Sequence, residues 1–173
     1  MNHKLAVIVT IGALCTTAAL PAEAGALHGG FVGRNASGGV TGGRVSAARG
    51  PNGGAYAHGA VTKTDGAGNA TTSRGTAYRG PNGATGERSA TNTRNADGSA
   101  SHQSQVAASG SKGSVQSNGS YTKNADGSAS GERGTTATGA NGGSYTGDTS
   151  YTKGQGVTHT GTCTNSAGVS SAC

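Results

Sequence analysis

"NADGSAS" stands at Asn95–Ser101 and again at Asn124–Ser130, and a diluted form, "TDGAGNA", occupies Thr64–Ala70. Asn-Gly and Asp-Gly pairs favour chain reversal, because central positions of tight hairpin turns require a positive φ and Asx side chains bond nearby backbone. A second phrase alternates with the first: "GPNGGAY" from Gly50, "GPNGATG" from Gly80, "GSKGSVQ" from Gly110 and "GANGGSY" from Gly139. Its starts are separated by 30, 30 and 29 residues, with the first phrase, or "KGQG" from Lys153, midway between. Self-similarity at such an interval marks a repeat architecture with two turns per unit.

Between the turns run stretches of roughly ten residues in which Ser, Thr, Tyr and Val alternate with smaller groups. The clearest are "SVQSNGSYTK" (Ser114–Lys123), "SYTGDTSYTK" (Ser144–Lys153) and "VTHTGTCT" (Val157–Thr164). In the last, Thr158, Thr160, Thr162 and Thr164 take every second place, which puts all four on one face of a strand. Helical spacing is absent after residue 24, and Pro51 and Pro81 pre-set φ at the starts of their turns. The repeated phrases punctuate strands.

The expected fold is therefore all-β: a repetitive antiparallel β-meander of long hairpins with repeats of about 30 residues. A β-solenoid with two strands per coil shares the same period. Lys63, Arg94, Lys123 and Lys153, which precede the mid-repeat turns at intervals of 31, 29 and 30 residues, favour the meander. In a solenoid they would stack about 4.8 Å apart and repel by roughly 1 kcal/mol even in water. On alternate strands of a meander they stand about 9.6 Å apart, close to a Debye length.

A largely disordered chain is the other alternative. Gly supplies 34 of 173 residues, Trp is missing, Phe31 is the single Phe, and charged residues make up only 12%. Ordering a residue costs about 1–2 kcal/mol, whereas a buried Leu or Phe returns roughly 1.5–3 kcal/mol. A two-layer core is out of reach with so few large side chains. Order must come from backbone ladders, and the regular spacing of the turns argues for them.

The start of the chain, "MNHKLAVIVTIGALCTTAALPAEAGA", joins a basic residue, an apolar run from Leu5 to Leu20 and the small-residue site Ala22-Glu23-Ala24. This three-part pattern is a secretory signal peptide with a helical apolar region, and cleavage is expected between Ala24 and Gly25. The organisation expected is a signal peptide over 1–24, a Gly-rich segment over 25–48 and the repeat region over 49–173. Cleavage removes Lys4, Glu23 and Cys15, so the formal charge of +6 persists and two cysteines remain, Cys163 and Cys173. An even pair in an exported chain reads as a disulfide closing a C-terminal hairpin. No transmembrane anchor is expected after cleavage. The localisation expected is secreted, periplasmic or at a bacterial cell surface.

Catalysis is not expected. His28, His58, His102 and His159 are scattered at intervals of 30, 44 and 57, outside any nucleophile motif. Glu87 and Glu132 belong to "GER" triplets beside Arg88 and Arg133, which read as local charge balance. Zinc-type His/Cys spacing and phosphate-loop motifs are missing, and the NADGS turns bring one Asp each where a calcium loop needs several carboxylates. No cofactor and no small-molecule substrate are implied. Tyr56, Tyr121 and Tyr145, at similar repeat phases, suit cross-strand contacts.

What remains is a secreted repeat protein with a structural or surface-associated role, in an envelope or biofilm matrix, able to self-associate through open sheet edges. The alternative is a binder of polyanions or carbohydrate: a pI near 9.6 favours acidic polysaccharide or lipopolysaccharide as partner. Lys63, Arg94, Lys123 and Lys153 are the contacts that reading selects.

Overall fold

A computed structural model describes residues 24–173; the expected signal peptide, apart from Ala24, lies outside the described residues. Eleven strands follow one another and pair only with their sequence neighbours in one sheet. They are β1 (Gly25–Arg34), β2 (Val40–Arg49), β3 (Ala55–Thr64), β4 (Ala70–Arg79), β5 (Thr85–Arg94) and β6 (Ala100–Gly110), then β7 (Gly113–Lys123), β8 (Ala129–Gly139), β9 (Ser144–Thr152), β10 (Gly156–Thr164) and β11 (Ser170–Ala172). Every pairing is antiparallel, so the chain is an open meander; the parallel stacking of a solenoid does not occur. Residues 25–48, set apart in the sequence reading, supply β1 and nearly all of β2 to the same sheet.

The turns differ from the tight two-residue form in an instructive way. In the first NADGSAS segment the amide of Asn95 donates to Ser99 O at 2.9 Å and Gly98 N donates to Asn95 O at 3.0 Å. This is a three-residue loop, a β-turn followed by one left-handed residue. Only Gly98, with φ of +85°, adopts the left-handed conformation; no non-Gly residue among those described has a positive φ. Asp97 instead caps the turn from an ordinary conformation, its Oδ1 accepting from Ser99 N at 2.8 Å and from Ser99 Oγ at 2.7 Å. Asn124–Ser128 reproduces these bonds. Pro51 and Pro81 take the second position of the same loop design, where Gly53 N and Gly83 N bond back to Gly50 O and Gly80 O. The β6–β7 turn is one residue shorter, Gly110 pairing with Gly113, and this accounts for the single 29-residue interval.

The sheet is one layer thick and has almost no interior. Ala90 and Ala129, at 4% and 7% exposure, are its buried apolar residues, and Ser117, at 8%, is its buried polar one. Hydrogen-bonded ladders and cross-strand pairs therefore carry the fold. Glycine inside the strands belongs to this economy, because several of the large rings lie over positions without a side chain. Phe31 faces Gly43, Tyr78 faces Gly86, and Gly131 lies between Tyr121 and Tyr151. A Cβ on Gly43 would meet Phe31 Cε1 at 2.6 Å, and one on Gly86 would collide with the Tyr78 ring. Ring-over-glycine pairs of this kind shield bare backbone on a sheet.

The chain's end is tied. Cys163 on β10 and Cys173 form a disulfide with Cα atoms 5.7 Å apart, and Cys173 N donates to Gly161 O at 3.2 Å. Among the described residues, no helix is long and apolar enough to cross a membrane.

Candidate anion-binding face

Directly paired residues of an antiparallel sheet point to the same face, and neighbours along a strand point to opposite faces. The continuous one-to-one register therefore assigns every strand side chain to a face. Arg94 pairs with Ala70 and Ala100, Ala100 with Lys123, and Lys123 with Ala129. Lys153 closes this row from the β9–β10 turn, its amide donating to Ala129 O at 2.8 Å. Arg34, paired with Val40, shares that face. Four residues further along β2, β4 and β8 come Arg44, Arg74 and Arg133, and six residues back along β5 comes Arg88, all at even steps from the row and so on this side.

Among the described residues the face thus carries seven strand cations, Arg34, Arg44, Arg74, Arg88, Arg94, Lys123 and Arg133, and no strand carboxylate. Glu87, Glu132 and Asp148 all lie on the other face, where Arg49, Lys63 and Arg79 balance them. The "GER" triplets are the device of separation: adjacent Glu and Arg point to opposite sides, so they do not neutralise each other on one surface as the sequence reading had it. The basic face also holds His28, His58, His102 and His159 and every Tyr of the sheet.

Lys63 is the exception among the four cations chosen from the sequence. It pairs with Thr41 and Thr71, one position off the Arg94 row, and so projects from the balanced face. Its interval of 31 residues to Arg94, where the repeat gives 30, is the trace of that offset. Lys153 is partly engaged, its Nζ donating to Gly127 O at 2.7 Å. Arg94 and Lys123 remain exposed on the basic side. Arg44, Arg74, Arg88 and Arg133 were missed because they sit mid-strand, and Arg34, which ends β1 two repeat lengths before Arg94, because the repeat was counted only from residue 49 onward. Counting parity within each strand from its turn would have found them.

Local bonds hold the polar side chains of this face in place. His58 Nδ1 contacts Thr76 Oγ1 at 3.0 Å, His102 Nδ1 contacts Asn92 Oδ1 at 2.7 Å, and His159 Nδ1 contacts Thr149 Oγ1 at 2.8 Å. Each histidine therefore leans on the strand beside it. Arg133 Nε donates to the buried Ser117 Oγ at 3.0 Å. The opposite face is a field of hydroxyls, with Thr71 beside Thr93, Ser73 beside Thr91 and Thr85 beside Ser109.

Carboxylates cluster at the sheet end instead. Asp65, Asp97 and Asp126 sit in successive turns beyond the Arg94 row. The pKa of each lies below the usual aspartate value: Asn69 does this for Asp65, and the Ser99 and Ser128 hydroxyls do it for Asp97 and Asp126, each joined by backbone N–H groups. They are spent on turn bonds, and no group of three or more His, Cys, Asp or Glu able to hold a metal occurs among the described residues. An open depression of ≈ 650 Å³ over β2–β7 is lined by Ala47, Ala57, Ala77, Tyr56 and Tyr78. Comparison with protein-family models, with curated proteins and with solved structures returned no match.

Proposed function

We propose that this chain is an exported, non-enzymatic surface or matrix protein that holds acidic polymers against the basic face of its sheet. One observation carries the reading: among the described residues, seven strand cations without a carboxylate share one face, while the cations of the other are balanced by three acids. Spaced charges that served solubility alone would be distributed between the faces. A rigid array of cations draws a polyanion by releasing its counterions. The disulfide agrees with an oxidising location outside the cytoplasm, and β1 begins at Gly25, the first residue after the expected cleavage point.

The test is retention of the purified protein on an immobilised sulfated polysaccharide. Binding at low ionic strength that is lost by about 0.5 M salt, where the screening length is about 4 Å, supports the reading. Absence of binding at low salt overturns it.

A structural role through self-association draws on a separate observation. Among the described residues, the outer edge of β1 has no partner strand along ten residues that contain neither Lys nor Pro, the usual edge protectors. Concentration-dependent fibres in electron micrographs, with a strand-rich circular dichroism spectrum, are the expected result of that reading, and a monomer at all concentrations defeats it.

A further inference from the structure

The basic face is not uniform. Arg88 on β5 pairs directly with Thr76 on β4, and Thr76 pairs on its other side with His58 on β3. Arg74 lies two residues before Thr76 on the same face, so Arg74 and Arg88 are diagonal neighbours on adjacent strands. Diagonal Cβ positions are about 7–8 Å apart, within reach of long side chains. Among the described residues, no other two cations of this face stand so close: Arg94 and Lys123 are separated by β6, and Arg44 and Arg74 by β3.

Between these side chains lies a cleft of ≈ 210 Å³ lined by His58, Arg74, Gly75, Thr76, Arg88 and Ala90. Arg74 is flanked across both neighbouring strands by alanines, Ala60 and Ala90, so no large group covers its guanidinium. The His58 Nδ1 contact to Thr76 Oγ1 fixes the imidazole and leaves Nε2 free of that bond. Two guanidiniums without a carboxylate on their face repel each other. An anion seated between them turns that repulsion into two charge-assisted attractions.

We propose that this cleft is a built subsite for a tetrahedral oxyanion, the phosphate or sulfate ester group of an acidic polymer. Arg74 and Arg88 present planar forks matched to paired oxygens, and the Thr76 hydroxyl and His58 Nε2 supply further polar contacts. The subsite deepens the polyanion reading and rests on it: the cations elsewhere on the face attract the polymer, and this cleft grips one of its charged groups.

The experiment uses the intact, oxidised protein and two probes, inorganic phosphate and inorganic sulfate, titrated separately while amide and arginine side-chain NMR signals are followed. Saturable shifts confined to Gly75, Thr76, Arg74 and Arg88 are expected. Equal responses to both ions assign an oxyanion ester in general, and a response to phosphate alone assigns a phosphate ester. Arg88→Lys, which keeps the charge and loses the fork, is expected to weaken phosphate binding about tenfold, the loss of roughly 1.4 kcal/mol. Arg79→Gln, on the same strand as Arg74 but the opposite face, is expected to leave phosphate binding as it was. Preserved amide dispersion in each variant shows that the sheet remains folded.

A non-saturating drift spread over all cations, or equal weakening by Arg79→Gln and Arg88→Lys, overturns the subsite. Polymer retention separates the two claims. A protein held on the column but without saturable phosphate shifts keeps the basic-face reading and loses the subsite. One that saturates with phosphate at the cleft yet passes through the column keeps the subsite and loses the polymer.

Discussion

Tyr121 and Tyr151 stack across a strand that lies between them: their ring centroids are 6.3 Å apart and their planes are inclined by 24°, although β7 and β9 share no hydrogen bond. Gly131 of β8 pairs with both tyrosines, and its missing side chain is what lets the rings approach. An added Cβ there would stand 2.9 Å from Ser120 O and 3.2 Å from Tyr121 Cδ2. In a sheet with almost no interior, this three-residue group is one of the larger apolar contacts.

Gly131→Val should therefore destabilise the sheet by about 1–3 kcal/mol, the usual range for overpacking. Gly33→Ala should do the reverse, gaining roughly 0.5 kcal/mol, because a Cβ at Gly33 meets nothing within 4 Å and the unfolded chain loses freedom. Urea midpoints of the two variants check the contrast. Equal destabilisation by both would show that the ring-over-glycine group adds nothing.

The turn glycines carry a separate expectation. Gly98, at φ of +85°, occupies the left-handed position of its three-residue loop. Gly98→Ala should cost about 1–2 kcal/mol, since a Cβ in that conformation crowds the following carbonyl oxygen. Gly98→Asn should cost less, because Asn tolerates the left-handed region better than Ala does. Thermal melts of the pair read the difference directly.

The antiparallel meander and the turn positions from Gly50 onward were legible in the sequence because turns of this kind need glycine at a fixed place, and the chain has few other ways to reverse. NADGSAS and GPNGG therefore located loops whose glycines, Gly98, Gly127, Gly53 and Gly83, all take positive φ. The loop type was not legible: Asn-Gly reads alike whether Asn is left-handed or, as here, merely precedes a left-handed glycine. The functional face was hidden for a sharper reason. A sheet side changes with each residue, so a repeat interval known to within one residue carries no information about face. Lys63 and Arg94 look equivalent in the repeat and point in opposite directions.

Acid should loosen the turns. Hydrogen bonds from the Ser99 and Ser128 hydroxyls, then from their amides, hold Asp97 and Asp126 below the ordinary aspartate value of 3.8. A carboxyl whose folded pKa is depressed contributes stability above its unfolded pKa, and that contribution disappears as pH falls through the folded value. Stability to urea is thus expected to be level near neutrality and to decline below about pH 4. In the double variant Asp97→Asn, Asp126→Asn the decline should be shallower. An unchanged pH profile in that variant would show that the turn carboxylates carry none of the acid response.

Reduction of the disulfide should act locally. β11 is three residues long and pairs only with Thr162–Thr164, so the link between Cys163 and Cys173 does most of the work of holding it. Closing a loop with a sequence separation of 10 residues contributes about 2–3 kcal/mol on the chain-entropy argument. Hydrogen exchange after reduction should quicken at Cys173 and Ser171, while amides of β4–β8 keep their protection. Loss of protection throughout the sheet would mean that the terminal hairpin nucleates the whole meander.

The offset between Lys63 and Arg94 supplies the most discriminating measurement of the basic face. Lys63→Gln and Arg94→Gln remove the same charge from nearly the same place in successive repeats, yet from opposite sides of a sheet one layer thick. If a polyanion lies along the basic face, Arg94→Gln releases one counterion fewer on binding and should lower the slope of log affinity against log salt by roughly one unit or less. Lys123→Gln should do the same, and with Arg94→Gln the two effects should add. Lys63→Gln should leave the slope where it was, because its side chain projects into the hydroxyl field of the other face. Salt titrations of polysaccharide binding for these four variants beside the unaltered protein decide the matter: equal slopes for the Lys63 and Arg94 variants would mean that total charge, and not its sidedness, governs the interaction.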